Sequence, residues 1–149
     1  MAFLSSLNIS GSGLTASKLR MDVISENIAN ASTTKTQDGG PYRRKMVVYE
    51  PASNEDNSFA SMFHKNMSTS TSNLQGVKVT AIVEDQTPFT SKYDPTNPDA
   101  NAQGYVQMPN VDQVTETLDM MSVTRAYDAN LTALNAVKEM ASKALEIGR

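Results

Sequence analysis

Apolar residues return every seven positions near the beginning of the chain. They lie at Leu7, Leu14, Met21 and Ile28, with Leu4 and Ile24 beside them. A seven-residue period is typical of a helix that packs lengthwise against another helix in a coiled coil. Glycine is unfavourable in a helix interior, so Gly11 and Gly13 weaken the first turns. We therefore predict a helix that begins at Ser12, or that begins earlier if a partner stabilises the first turns. We expect it to stop at residues 27–30, because asparagine tolerates the left-handed conformation found at helix ends.

The end of the chain predicts a longer helix. Pro109 and Asn110 supply a stop and a helix cap, and no glycine or proline interrupts residues 111–147. One heptad frame runs through Met120, Tyr127, Leu134 and Ala141 and through Val123, Asn130, Val137 and Ala144. A second apolar stripe lies at Val111, Val114, Leu118 and Met121. Because apolar residues occupy more than one face, we expect this helix to pack against several partners.

The region between the helices has a different pattern. Residues 43–50 contain the run 46–49 (MVVY), and residues 75–84 alternate between apolar and polar positions, so both segments predict strands. Residues 52–74 are rich in serine and threonine, which predicts a mobile loop. The expected fold is mainly α, with N- and C-terminal helices that pair as a coiled coil and a small, irregular β-rich middle region. The expected division is residues 1–31 for the N-terminal helix of the core domain, 32–109 for the middle region and 110–149 for the C-terminal helix.

Composition changes this picture in one respect, because large apolar residues are scarce. Leu, Ile, Val and Phe number 29 of 149 residues, or 19%, whereas Ser, Thr and Asn number 42, or 28%. Such scarcity borders on the composition of disordered chains, but the net charge of −3 lacks the strong charge that accompanies disorder. A surface of hydroxyls and amides suits a protein that packs against many neighbours.

The chain offers little catalytic chemistry. It has no cysteine, and His64 is its only imidazole, which leaves few residues for a metal centre or for nucleophilic catalysis. The segment from Asp99 begins like a calcium-binding loop, but its twelfth position is Asn110 instead of glutamate. We therefore predict no catalytic residue, no metal and no cofactor. We also predict no nucleic acid as a partner, because the chain is mildly acidic and its only basic cluster, residues 43–45, is too short to neutralise a phosphate backbone. No small-molecule substrate is predicted either.

Targeting signals are also missing from the sequence. No apolar run reaches the length that crosses a membrane, and no basic residue precedes Lys18. We therefore expect neither a transmembrane helix nor a cleaved secretory signal peptide.

Four motifs in order carry a resemblance to a known family. They are residues 27–30 (NIAN), 39–45 (GGPYRRK), 93–111 (YDPTNPDANAQGYVQMPNV) and 125–130 (RAYDAN). In this combination the chain resembles the bacterial flagellar axial proteins of the rod and hook, and among them the proteins of the proximal rod. The resemblance covers both helices and most of the middle region.

This resemblance implies a structural subunit and not an enzyme. It implies export in an unfolded state through the flagellar type III apparatus, without a cleaved signal peptide. The subunits would then stack in the basal body as the drive shaft that crosses the periplasm and transmits torque from motor to hook and filament. The implied partners are other copies of the chain, other flagellar rod proteins, the rod-base adaptor and MS ring, the distal rod and the flagellar export apparatus.

The residues expected at the subunit interface lie on the two helices. They are Leu7, Leu14, Met21, Ile24, Asn27, Ile28, Asn30, Leu118, Met121, Arg125, Tyr127, Asn130, Leu134, Val137 and Ala141. Tyr127 and Asn130 interrupt the apolar seam and are expected to fix the register of helix contacts. Because the terminal helices cannot bury their stripes alone, we expect them to be partly disordered in the monomer and to order on assembly.

Three alternatives stay open. The first is another axial component, such as a distal rod or hook-type protein. The second is a soluble helical adaptor or chaperone, for which the rows of charges that specify stable helix dimers are missing. The third is an enzyme that clears peptidoglycan for the rod, which an assay of wall hydrolysis would reveal.

Overall fold

The computed structural model describes residues 2–37, 39–52 and 76–147. Two long helices enclose four short strands, in the order α1 (Ala2–Ala29), β1 (Lys45–Pro51), β2 (Val77–Glu84), β3 (Thr90–Tyr93), β4 (Tyr105–Met108) and α2 (Gln113–Ile147). The prediction of two terminal helices around a small β-rich middle region is confirmed. Most of the predicted loop at 52–74, with His64, lies outside the described residues.

Helix α1 begins at Ala2 and continues through both glycines, so the earlier of its two expected starts is the one observed. Neighbours within the same chain hold these turns. The Ser12 hydroxyl donates to the Ile9 carbonyl (2.7 Å) and accepts the Val77 amide of β2 (3.1 Å). A Cβ on Gly13 would lie 3.0 Å from Asn130 Nδ2 of α2, so the glycine permits a close approach of the two helices.

Helix α2 begins at Gln113, and the prediction that Asn110 caps it is wrong. The cap is Asp112, whose carboxylate accepts the Val114 amide (3.0 Å) and the Thr115 hydroxyl (2.7 Å). These bonds, the Thr115 hydroxyl first, lower the pKa of Asp112. Asn110 instead accepts the Arg44 amide (2.8 Å) and donates to the Asp85 carbonyl (3.1 Å).

The two helices pack against each other in opposite directions. Three contacts define this arrangement, since their α1 positions fall as their α2 positions rise: Asn27 with Glu116, Met21 with Thr124, and Gly13 with Asn130. The heptad frame predicted for α2 lies on its more buried side from Met120 to Ala141. The hydrophobic core of the described residues is small and consists of Ala16, Val23, Ile24, Tyr42, Val106 and Val123.

The strands form two separate antiparallel pairs. Strands β1 and β2, here called the ribbon, pair from Lys45 with Glu84 to Pro51 with Val77, with an irregularity after Val48. One face of the ribbon packs on α1, where the Tyr49 hydroxyl reaches the Ala16 carbonyl (3.4 Å). Strands β3 and β4 pair in the second sheet. The turn before β4 requires glycine at position 104, because φ there is +80° and a Cβ would lie 2.9 Å from the Tyr93 ring.

Candidate assembly interface

A buried asparagine connects both helices to the start of the ribbon. Asn27 is 1% exposed. Its Nδ2 donates to the Lys45 carbonyl (2.9 Å) and to Glu116 Oε2 (3.1 Å). Its Oδ1 accepts the Tyr42 hydroxyl and the Lys45 amide, both at 2.9 Å. The amide group therefore makes four hydrogen bonds, which offset the cost of burying it.

A buried carboxylate completes this cluster. Glu116 of α2 is also 1% exposed, and its Oε1 accepts a hydrogen bond from Arg44 Nε in an ion pair. The same guanidinium reaches Asp119 (3.4 Å) and approaches Asp85 (3.9 Å). We call Asn27, Tyr42, Arg44, Glu116 and Asp119 the polar junction. It fixes the angle between α1, the ribbon and α2, because its members come from α1, from the segment just before β1 and from α2.

The electrostatics of the junction keep its tyrosine protonated. The pKa of Tyr42 is raised from 10.0 to about 12, first by burial of the phenol and then by the nearby carboxylates of Glu26, Glu116 and Glu84. A protonated phenol is the donor that Asn27 Oδ1 requires. The hydrogen bond is thus present over the whole physiological pH range.

The sequence contains one signal for the junction, which is the charged residue Glu116 at a heptad position that is otherwise mostly apolar. Glu116 precedes Val123 by seven residues and so belongs to the heptad frame that faces α1. The predicted stop of the helix at residues 27–30 is confirmed, since α1 ends at Ala29, but the burial of Asn27 within the last turn was not expected. Tyr42, Arg44 and Glu116 were not expected as site residues. Their roles depend on tertiary neighbours that no local pattern reveals.

The residues expected at the subunit interface divide into two groups. Most lie on the sides of α1 and α2 that are buried or half-buried within the chain: Leu7, Leu14, Met21, Ile24, Asn27, Ile28, Asn30, Tyr127, Asn130, Leu134, Val137 and Ala141. The other three, Leu118, Met121 and Arg125, are exposed on the opposite side of α2. The structure therefore brings the first group together in one chain and leaves the second group open to a partner.

The exposed side of α2 is apolar and uncharged over its first three turns. Val114, Leu118 and Met121 are 69%, 61% and 53% exposed, and we call them the outer stripe. Their spacing of four and three residues places them on one face, opposite the side that packs on α1. Every exposed side chain from Gln113 to Thr124 is uncharged. Depletion of charge around exposed apolar residues is typical of the centre of a protein interface.

Groups of side chains that could hold a metal ion are not seen in the part of the chain that the structure describes. There, no group of three or more His, Asp or Glu side chains is placed to hold a metal ion. The Asp99 carboxylate accepts the Thr34 hydroxyl (2.7 Å), and Asn101 Oδ1 accepts the amides of Gln103 and Tyr105 (both 2.9 Å). The segment from Asp99 thus forms an ordinary polar turn. Within the same residues, neither helix is apolar enough along its length to cross a membrane.

Comparison with known families defines the class of protein. Residues 7–35 match the model of a family described as "Flagella basal body rod protein". Residues 102–147 match the model described as "Flagellar basal body rod FlgEFG protein C-terminal". These segments contain most of α1 and all of α2, so both helices that build the candidate interface carry the features of flagellar basal-body rod proteins.

Curated relatives specify the family within this class. The chain is 50% identical to the flagellar basal-body rod protein FlgC of Bacillus subtilis, over 100% of both chains. It is 44% identical to FlgC of Borreliella burgdorferi over 99% of this chain and 98% of the relative, and 42% identical to FlgC of Escherichia coli O157:H7 over 100% of both. The chain belongs to the FlgC family of flagellar basal-body rod proteins. It is accordingly a structural subunit of the rod, and the resemblance in its four motifs is confirmed.

Proposed function

We propose that this chain is a subunit of the proximal rod that polymerises through its terminal helices and transmits torque from the motor to the hook and filament. The observation that carries the proposal is the outer stripe, an apolar and uncharged surface on the longest helix. A subunit that stacks in a tube needs such a surface, because each copy must bury part of its neighbour. A torque shaft built this way spreads load over many packed contacts.

The helix pair is proposed to form the inner layer of this tube as a coiled coil. Heptad positions on α2 face α1, and the two helices run antiparallel along each other, which supports the proposal. The core domain would then comprise residues 1–31 and 110–149, and residues 32–109 would lie outside it. The polar junction at one end of the pair would hold the two parts at a fixed angle.

The subunit interface is proposed to centre on Leu118, Met121 and Arg125. These residues are exposed and lie on one face of α2. The expected residues on the seam between α1 and α2 would contribute indirectly, by setting the spacing and register of the helix pair. Half-buried members such as Leu7 and Leu134 keep some surface for a neighbour.

Ordering on assembly is proposed for the end of the helix pair that lies far from the polar junction. Leu4 of α1 and Met140 and Leu145 of α2 are largely exposed there. Long helices with few tertiary contacts are marginally stable in water. Circular dichroism with limited proteolysis of the purified monomer should show cleavage at this end, whereas protection of both helices along their whole length would contradict the proposal.

The proposed partners and route follow from the family. They are other copies of the chain and other rod proteins, the rod-base adaptor and MS ring, the distal rod, and the flagellar export apparatus. Export in an unfolded state without a cleaved signal would deliver the chain to the periplasmic space. A chain without cysteine suits that route, because the oxidising periplasm cannot trap it in wrong disulfides.

The role is proposed to be structural and not catalytic. FlgC relatives are named as rod proteins, which supports this proposal. The competing proposal of a peptidoglycan-clearing enzyme predicts release of wall fragments by the purified chain. Activity in that assay, abolished by a single point substitution, would overturn the structural role.

The direct test is complementation of a flagellated bacterium that lacks its own copy of this chain. We expect no rod and no motility without the chain, and recovery of both with the full-length chain. A version lacking residues 141–149, produced at the same level, should be absent from purified basal bodies. Normal motility with the truncated chain would contradict polymerisation through the terminal helices.

A further inference from the structure

The ribbon has an outer face that nothing in the described structure covers. Met46 pairs with Val83 and Val48 with Ala81, so these four side chains share one face. Met46, Val48 and Val83 are 37%, 38% and 40% exposed. Among the described elements, the ribbon packs only on α1, through its opposite face. A two-stranded ribbon with an open apolar face is marginal on its own, which indicates a partner for that face.

Two charges of opposite sign lie at one end of this apolar face. Glu50 of β1 pairs with Lys78 of β2, and both side chains are exposed. They follow Val48 on the outer face, so the surface changes there from apolar to charged. A partner that matches the face must therefore have an apolar stretch followed by an acid and a base.

The outer stripe of α2 is an apolar stretch of this kind, and charged residues of both signs follow it. After Met121, the next residues on the same helix face are Arg125 and Asp128, which are both exposed. The rise from Met121 to Arg125 is about 6 Å. The advance from Val48 to Glu50 along a strand is about 6.6 Å. The first charge therefore lies at a similar distance beyond the apolar part on the two surfaces.

We propose that the outer face of the ribbon in one copy binds the outer stripe of α2 in a second copy. Met121 of the second copy packs near Val48 of the first, Arg125 lies beside Glu50 and Asp128 lies beside Lys78. Apolar burial supplies the affinity, and the charge pairs select the register. This proposal rests on the proposed function, because it specifies which surfaces of neighbouring copies meet in the assembled rod.

The partner is a second copy because the chain carries both halves of the contact, on two surfaces that both face away from α1. No backbone contact joins the ribbon to α2 among the described residues, so one chain does not bring the two faces together. Two unlike surfaces on each copy give a heterologous contact, and repetition of such a contact builds an open helical assembly. That geometry is the one a rod requires.

Cysteine crosslinking provides the first test, because the chain has no cysteine of its own. A variant with Val48→Cys and Met121→Cys, assembled in basal bodies and mildly oxidised, should give a ladder at multiples of the 16.2 kDa chain. A control with Val48→Cys and Ser142→Cys, whose second site is exposed on α2 well beyond the stripe, should give none. Rods that form normally yet give no ladder, a link within one chain, or a link only to a different protein would each overturn the contact.

Charge reversal provides the second test and covers the case in which the cysteine variant fails to assemble. We expect Glu50→Arg or Arg125→Glu alone to lower incorporation into basal bodies about tenfold, equivalent to about 1.4 kcal/mol. The double variant should recover incorporation, because it restores opposite charges in the contact. Single variants that incorporate like the parent, or a double variant no better than the singles, would overturn the proposal. Failure of complementation by the unmodified chain would instead count against the proposed function.

Discussion

Glu116 and Leu118 lie two residues apart on α2, and the structure treats them in opposite ways. The glutamate is 1% exposed and the leucine 61% exposed, which reverses the usual preference of each side chain. The glutamate is buried because Arg44 and Asn27 satisfy its oxygens. The leucine is exposed because none of the described elements covers that side of the helix. One turn of α2 therefore fixes the geometry of the subunit on its inner side and, in the proposed assembly, meets a neighbour on its outer side.

This difference explains the scarcity of large apolar residues in the chain. A rod subunit divides its apolar residues between a small internal core and surfaces reserved for assembly. The hydrogen bonds and ion pairs of the polar junction orient α1, the ribbon and α2, which in other proteins is done by a larger hydrophobic core. Buried ion pairs contribute little net stability against apolar replacements, but they lock a specific arrangement when all their groups are satisfied.

Removal of the buried carboxylate should have the largest effect on the single chain. Glu116→Ala leaves the Arg44 guanidinium half-buried without its main partner, and breaking a buried pair costs about 3–5 kcal/mol. We expect a loss of that size in the free energy of unfolding, measured by urea denaturation with circular dichroism. Glu146→Ala, at an exposed site on the same helix, is the matched control. If the free energy of unfolding falls no more in Glu116→Ala than in the control, the buried side of α2 does not stabilise the subunit as described.

High pH should weaken the junction through Tyr42. The pKa of this phenol is about 12 in the folded chain against 10.0 for the free group, so the folded state holds its proton more tightly. Its contribution is complete below pH 10 and is lost as the pH rises towards 12, which amounts to about 2–3 kcal/mol. The measurement is unfolding free energy against pH for the parent and for Tyr42→Phe. Identical slopes above pH 10 would show that the junction does not favour the protonated phenol.

Substitution of the outer stripe should affect the single chain least and the assembly most. Leu118→Ser and Met121→Ser change exposed side chains, so we expect the free energy of unfolding to shift by no more than about 0.5 kcal/mol. Incorporation into basal bodies should nevertheless be lost. Leu131→Ser, at an exposed leucine away from the stripe, serves as the control. Normal incorporation of the stripe variants, or a large loss in their free energy of unfolding, would show that this surface does not serve as an assembly interface.

Much of the fold followed from periodicity in the sequence. The seven-residue frame through Val123 and Tyr127 predicted which side of α2 faces inward, because a helix has one register of side chains along its length. The valine-rich segments predicted β1 and β2. The outer stripe was visible as a second apolar row, and among the described elements none covers it.

The polar junction was beyond the reach of local patterns. Asn110 has the chemistry of a helix cap, but its side chain binds Arg44 and Asp85 instead, so Asp112 caps α2. Asn27 has the chemistry of a helix stop, yet it is buried inside α1 because Tyr42 and Glu116 are there to satisfy it. In each case a tertiary partner decides between two roles that the residue type allows equally.

The most direct test of the central claim is a cryo-EM map of basal bodies assembled with this chain. The claim is that α2 holds the subunit together on one side and contacts a neighbour on the other. We expect density for a neighbouring subunit over Leu118 and Met121, with Glu116 still enclosed by Arg44 and Asn27 of its own chain. An outer stripe that faces open solvent in the assembled rod, or a chain absent from the proximal rod, would contradict the account.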